Sequence, residues 1–461
     1  MRLYNYLPGE ICVKNDNEAQ FKRMTEARVE PLVLKLAAPT IVSMLITAVY
    51  NMADTYFVGK INTSATAAIG VVFSLMALIQ AVGFFFGHGS GSFISRKLGM
   101  RDSAHATEMA AFGFVGSLIG GLVITILGLI FMEPLARLLG ATDTIMPYAV
   151  DYMSYILIGA PWMTASLTLN NQLRFEGYAL FGMIGITIGG LLNIGLDPIF
   201  IFVFNMGTGG AALATIISQF VSFIILFMMN DRKGMPIRPK SFKPSFGYLR
   251  AVTNGGLPSL ARQGCSSIGV MVLNNVAGLY GDAAIAAISV VTRVMQFAGS
   301  AMIGFGQGFQ PVCGFNYGAG LYARVKRAFS FCVKSSFLVL VAIAAVGSIF
   351  APQIIELFRR GDPDVIRIGA AALRFQCISF PLIGFLTLTN MMAQSIGKAA
   401  RATVLALSRQ FLFLIPALYI LTPIFGLTGL ELSQTVADVF TFGISIPIAI
   451  SIFKEMNGTD M

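Results

Sequence analysis

Long apolar stretches divided by short polar or Gly/Pro-rich joints recur from Leu34 to the C-terminus. Each is about 20 residues or longer, enough to cross a hydrocarbon core of roughly 30 Å at about 1.5 Å of rise per residue. The runs are continuous and do not alternate with period two, so the pattern argues against a membrane β-barrel. Helices satisfy their own backbone hydrogen bonds, as lipid demands. The pattern predicts twelve transmembrane helices, at 34–58, 66–95, 107–132, 147–170, 178–204, 210–230, 251–279, 284–312, 329–351, 368–393, 402–423 and 430–453. The expected fold class is therefore an all-α polytopic membrane protein. The basic stretch Asp231–Arg250 divides the spans six and six. The organisation expected is a lead-in (1–33), an N-terminal lobe (34–230), a basic linker (231–250), a C-terminal lobe (251–453) and a tail (454–461).

Composition agrees: 56% of the 461 residues are hydrophobic and 12% are charged, about half the charged fraction of a soluble protein. A net charge of +10 would suit a nucleic-acid partner, but the distribution argues otherwise. Most Lys and Arg fall in the N-terminal stretch, in alternate joints and in the tail, and Arg232, Lys233, Arg238, Lys240, Lys243 and Arg250 crowd the linker. That bias places the termini in the cytoplasm and makes the lipid bilayer of a cell membrane the expected partner, not nucleic acid. One joint departs from it, since Arg359, Arg360 and Arg367 would face outward. Cys12, Cys265, Cys313, Cys332 and Cys377 are scattered, and there are two histidines, His88 and His105. No disulfide or zinc spacing is present, and an intramembrane enzyme would lack a nucleophile-and-base or metal set. Without a phosphate-binding loop, primary coupling to ATP is not expected, nor is any cofactor.

The two halves of the chain are related. Sliding the sequence by 219 lays Gly59–Gly99 on Gly278–Gly318 without a gap, with 12 of 41 positions identical. Ala67-Ala68-Ile69 meets Ala286-Ala287-Ile288, and Gly87 and Gly89 meet Gly306 and Gly308. Pro39 falls on Pro258, Pro161 near Pro381 and Gly177 near Gly397. Six spans is an even number, so both halves share one orientation and are related by an axis along the membrane normal, an architecture of transporters that work by alternating access. The small residues Gly87, Gly89, Gly91 and Gly304, Gly306, Gly308 fit close helix packing.

A charge at mid-bilayer is costly, so polar residues inside spans single themselves out. Asp54 lies in the first, and Asn193 and Asp197 lie in the fifth, one turn apart on one face. Pro198 removes a backbone donor and disfavours helix in the residue before it. Two acids and an amide brought together make an oxygen-rich site for a hard cation such as Na⁺, while the same carboxylates could hold a proton. Neither acid is duplicated: the shift of 219 places Leu273 opposite Asp54 and Pro416 opposite Asp197. Arg293, Arg409, Glu431 and Asp438 in the second half are read as ion pairing within that bundle. Asn170, Asn171 and Gln172 end the fourth span and are candidates to face a substrate cavity.

The run from Pro39 through Thr47-Ala-Val-Tyr-Asn-Met-Ala-Asp54 to Gly59 resembles the first helix of multidrug and toxic compound extrusion (MATE) transporters. Leu192-Asn-Ile-Gly-Leu-Asp-Pro-Ile-Phe-Ile-Phe202 resembles their fifth helix, and Gly207-Thr-Gly-Gly-Ala-Ala-Leu-Ala-Thr215 the start of their sixth. The similarity covers essentially the whole chain and is nearest to the DinF-like branch. It implies a cation- or proton-binding site of Asp54, Asn193, Asp197 and Thr215, with Tyr152 as a further polar partner, and Pro39 as the point where the first helix bends. It also implies two six-helix bundles and export of cationic or amphipathic organic compounds against H⁺ or Na⁺. No metal beyond that Na⁺ is implied, and a monomer is expected. A flippase for a lipid-linked saccharide, or an exporter of an endogenous metabolite, is the alternative. Arg262, Arg293 and Arg409 would serve a pyrophosphate, but the Asp/Asn pair and the Pro39–Asp54 spacing favour the drug exporters.

Overall fold

The computed structural model describes residues 18–61, 63–233, 241–358 and 362–458. Cys12, Arg238, Lys240, Arg359, Arg360 and the first 17 residues of the lead-in lie outside that range. The described residues are helical throughout, without strands. A short helix over 18–25 (α1) precedes α2 (Val29–Gly59), α3 (Thr63–Gly99), α4 (Ser103–Ile130), the short α5 (Met132–Leu138), α6 (Met146–Phe175), α7 (Ala179–Pro198) and α8 (Gly207–Lys233). The second half repeats the order with α9 (Phe246–Gly278), α10 (Asp282–Gly318), α11 (Tyr322–Ile349), the short α12 (Ala351–Phe358), α13 (Pro363–Ser395), α14 (Ala399–Leu407), α15 (Ile415–Phe425) and α16 (Leu427–Gly458). Each predicted span is one of these helices, α14 and α15 being joined through a wide π-helical turn, Ser408–Leu414. Even the short helices obey the repeat, since α5 and α12 begin 219 residues apart.

Ten spans are apolar and long enough to cross a bilayer by composition alone. The other two, α6 and α9, are equally long but more polar. α6 is enclosed by α3, α4, α7 and α8, so most of its polar groups meet protein; α9 packs on α3 and α14 but leaves polar residues such as Asn254, Ser267 and Asn275 exposed. The outer surfaces carry large exposed apolar side chains, such as Ile119, Leu122 and Ile126 on α4 and Leu338, Val346 and Ile349 on α11. Lipid competes equally for such side chains, so the interior is held by close packing of small residues and by hydrogen bonds.

Helix ends follow local chemistry. The first transmembrane helix starts at Val29, five residues earlier than the hydropathy suggests, because Glu30 sits in its first turn, where the helix dipole favours an acid, and pairs with Arg327 at 2.7 Å. Asp102 caps α4, accepting from the His105 amide at 3.3 Å. Lys97 at 2.9 Å and His105 hold its carboxyl down at about 2.

The two halves meet at one end of the bundle, and their contacts are reciprocal. A Cβ on Gly99 would strike the Phe315 carbonyl, and one on Gly318 the Arg96 carbonyl, the same pair of positions under the 219-residue repeat. Gly89 likewise abuts Val252 of α9, while Gly308 abuts Ala37 of α2. Gly87 and Gly306 instead face Asn171 and Met391 within their own halves. The two-residue glycine spacing thus lies on a continuous helix packed on both sides at once. Nearer the other end the approach is looser: a Cβ on Gly264 of α9 or Gly299 of α10 would meet nothing within 4 Å.

The closed end carries a strap. From the helix over 18–25, Gln20 donates to the Glu176 carbonyl and Arg23 to that of Gly177 at 2.7 Å, both in the first half. From the second half, Asn316 donates to the Met24 carbonyl at 3.1 Å and Arg324 to that of Ala27 at 2.6 Å. Residues expected as a plain lead-in therefore bridge both halves.

Candidate functional site

The fifth span of the first half does not remain a regular α-helix. Pro198 has no amide proton, and beyond it the backbone widens into a π-helical turn, Ile199–Val203, closed by the Phe204 amide on the Ile199 carbonyl at 2.9 Å. Such turns often accompany functional positions. Just before it, Asn193 and Asp197 point one way, and Asn193 Nδ2 donates to Asp197 Oδ1 at 3.1 Å and to Thr215 Oγ1 of α8 at 3.3 Å. The neighbouring α2 brings in Asp54, which accepts from the Tyr152 hydroxyl of α6 at 3.3 Å. Tyr152 also bonds Thr215, and the two acids are close enough to interact electrostatically. The structure thus gathers Asp54, Tyr152, Asn193, Asp197 and Thr215, from four helices, into one cluster.

The cluster is dry and rich in unused acceptors. Asp54 is 9% exposed and Asp197 fully buried. Asp54 Oδ1, Asn193 Oδ1 and Asp197 Oδ2 are buried without a hydrogen-bond partner. A buried polar atom left unsatisfied costs about 1–3 kcal/mol. Three oxygens in one pocket suit either a hard monovalent cation or protons on the carboxyls. Oxygen donors of this kind suit a hard cation rather than a soft one.

Two residues extend the cluster beyond those legible in the sequence. Tyr50, one turn before Asp54, is buried and hydrogen-bonded to Gln219, itself one turn after Thr215. Their i−4 and i+4 placement relative to Asp54 and Thr215 was the available signal. Pro39 lies within α2 where that helix crosses α10. Thr40 Oγ1 donates to the Gly304 carbonyl at 2.6 Å, and a Cβ on Gly304 would stand 2.6 Å from Ile41 Cα.

The residues expected at a substrate cavity are placed differently. Gln172 is fully buried, donating to Ser90 Oγ and to the Ala110 carbonyl, both at 3.0 Å. Asn171 donates to the Leu167 carbonyl at 2.7 Å and accepts from Arg174 at 2.5 Å. Both are interior packing groups because α6 is enclosed on several sides; Asn170 is half-buried against Gly182. In the second half, Arg409 donates to both oxygens of Asp438, at 2.7 and 3.4 Å. Arg293, by contrast, is exposed, and Glu431 is buried with no ion pair among the described residues. Among the described residues, one of the expected ion pairs forms.

The MatE family model matches residues 39–199 and again 258–420, two segments that begin 219 residues apart. Multidrug export protein MepA of Staphylococcus haemolyticus (strain JCSC1435) is 27% identical over 416 residues, covering 90% of this chain and 91% of the relative. MepA of Staphylococcus aureus (strain MSSA476) is 28% identical over 412 residues, covering 88% and 90%. Among solved structures, MATE in complex with MaL6 superposes with a TM-score of 0.91 at 27% identity, covering 95% of this chain and 99% of that one. A MOP superfamily transporter from Pyrococcus furiosus, described as having a binding pocket of reverse polarity that suggests a different function, gives 0.89 at 27% identity, covering 95% and 98%.

Proposed function

The chain belongs to the MatE family, and from that premise we propose that it is a secondary exporter moving cationic or amphipathic organic compounds out of the cell in exchange for H⁺ or Na⁺. The multidrug-export relatives support the substrate class. The single observation that carries the coupling is the trio of unpartnered buried oxygens on Asp54, Asn193 and Asp197. An oxygen-lined, carboxylate-bearing pocket out of water is stabilised by the arrival of a small cation, and its charge is neutralised by it.

The remaining steps follow from geometry. The positive-inside bias puts the strapped, closed end at the cytoplasmic face, so the looser end of the cleft opens outward. A cation entering from outside bridges the acids of α2 and α7 and pulls the two helices together. Asp54 is 15 residues from Pro39, about 22 Å along α2 at about 1.5 Å per residue. A bend at Pro39, where no amide proton holds the turn, shifts the outer half of α2 into the cleft and displaces the bound compound. The ion supplies about 2.3 kcal/mol per charge for each 100 mV of membrane potential. A tenfold concentration gradient needs about 1.4 kcal/mol.

The test is release of a fluorescent cationic dye from proteoliposomes with pH and Na⁺ gradients imposed separately. Dye movement driven by one gradient, and its loss in both Asp54→Asn and Asp197→Asn with folding intact, is the expected result. Wild-type rates in both variants would remove the mechanism.

A further inference from the structure

The floor of the cleft, where the halves come together, holds positive charge that no part of the coupling mechanism uses. Arg174 ends α6 and is 1% exposed. Its guanidinium reaches across to the second half, donating to the Gln307 carbonyl at 3.0 Å and to Gln310 Oε1 at 2.7 Å. It also donates to Asn171 at 2.5 Å and to His88 Nε2 at 3.2 Å. His88 must therefore accept at Nε2, which leaves its Nδ1 to donate to the Phe84 carbonyl at 3.2 Å. The ring is neutral in this arrangement and orients Arg174 without adding or removing charge. Every acceptor of the Arg174 guanidinium is uncharged, and its buried Nε has no partner at all.

A second guanidinium lies within electrostatic reach of it. Arg262 lies on α9, three residues beyond Ser259 and seven beyond Gly255, where a Cβ would meet Ser92 and Gly89 of the first half. Ser259 and the Gly255 carbonyl accept from Gln394, both at 2.7 Å, and Gln394 in turn accepts from Gln310 at 3.3 Å. Arg262 is within electrostatic reach of both Arg174 and His88. It is half-buried, and among the described residues it makes no hydrogen bond or ion pair. Neither arginine forms an ion pair among the described residues.

Two guanidiniums within electrostatic reach of each other, one buried and one half-buried, with no ion-pair partner among the described residues, are unfavourable to each other. Arg409, by contrast, is paired with a buried aspartate. We infer that the cleft floor is an anion site, in which Arg262, with Arg174 behind it, takes the acidic group, a carboxylate or phosphate, of an amphipathic substrate. Arg174, already committed to Gln310 and Asn171, supplies field; Arg262 has a free fork that matches a planar carboxylate or a phosphate in two-point fashion. This rests on the export reading above and specifies, within its amphipathic substrates, those that bear an acid.

The test compares a matched pair of fluorescent amphiphiles that differ only at the acid: the carboxylate dye rhodamine 110 and its methyl ester. Equilibrium binding to the purified full-length protein, read by fluorescence polarisation, decides the proposal. The carboxylate dye is expected to bind at least tenfold more tightly than the ester to the wild-type protein. That ratio should fall to near one in Arg262→Gln and persist in Arg262→Lys, which keeps the charge and controls for folding. Equal or ester-favouring affinity in the wild type, or a ratio untouched by Arg262→Gln, overturns it. Gradient-driven transport of the same dyes is a separate arm. An intact binding preference with no transport under any ion gradient counts against the export reading and leaves the anion site standing.

Discussion

Replacing Asp438 by asparagine separates a structural role from a transport role for the second-half charges. Asp438 is 1% exposed and receives four hydrogen bonds: two from Arg409 at 2.7 and 3.4 Å, one from Ser379 at 3.1 Å and one from Gln434 at 3.0 Å. Removing one partner of a buried ion pair typically costs about 3–5 kcal/mol. Here the Arg409 side chain is 31% exposed, so water relieves part of the loss. The asparagine retains one acceptor but turns an amide toward a donor. The expected destabilisation of Asp438→Asn is therefore about 2–3 kcal/mol. Replacing the pair together, as Arg409→Met with Asp438→Leu, leaves no orphan charge and should restore most of it. The assay is thermal unfolding of purified protein in detergent beside dye export in proteoliposomes matched for folded protein. The reasoning predicts a melting temperature lowered by several degrees with transport per folded molecule retained, and recovery in the double variant. A variant that melts like wild type yet no longer transports would refute it and make Asp438 part of the transport cycle.

Gly304→Val places a side chain against the Ile41 backbone at the α2–α10 crossing and should weaken the closed end by about 1–3 kcal/mol. Maleimide labelling of the buried native Cys313, quantified by mass spectrometry, should then rise roughly 5- to 150-fold, and an unchanged rate would show that the crossing is not closed by close packing. Removing the strap contacts with Gln20→Ala and Arg23→Ala should raise the same labelling by at least several-fold, with the opposite result placing no weight on the strap. Asp102→Ala removes the α4 cap and should lower stability by about 0.5–2 kcal/mol at neutral pH. The Asp102 carboxyl is held down at about 2, below its unfolded value of about 4. Its contribution is therefore complete above about pH 4 and lost only as pH falls toward 2, so the melting difference should stay constant from pH 5 to 8. A difference that shrank across that range would contradict the assignment.

The helices and their repeat were legible because lipid enforces them: a span must be long, apolar and internally hydrogen-bonded, and α3 and α10 keep matching glycines because both cross the opposite half. The Asn193–Asp197 pair was legible from one-turn spacing and from Pro198. That Asp54 lies against that pair is a fact of packing between α2 and α7, which no local pattern contains. Asn171 and Gln172 illustrate the reverse failure. Polar residues at a helix end look ready for a cavity, but α6 is surrounded, and the partners of Gln172, Ser90 and Ala110, come from other helices. The strap over 18–28 was hidden because its main bonds run between side chains and distant carbonyls. Such bonds leave no trace in periodicity.

The claim on which the rest depends is that Asp54, Asn193 and Asp197 bind the coupling ion. Purified wild-type protein titrated with Na⁺ at fixed pH, and with protons in the absence of Na⁺, should be stabilised by one of the two, by about 2.7 kcal/mol at a hundredfold excess over the dissociation constant. That stabilisation should vanish in both Asp54→Asn and Asp197→Asn. Ion-dependent stabilisation of wild-type size in both variants would place the coupling ion elsewhere.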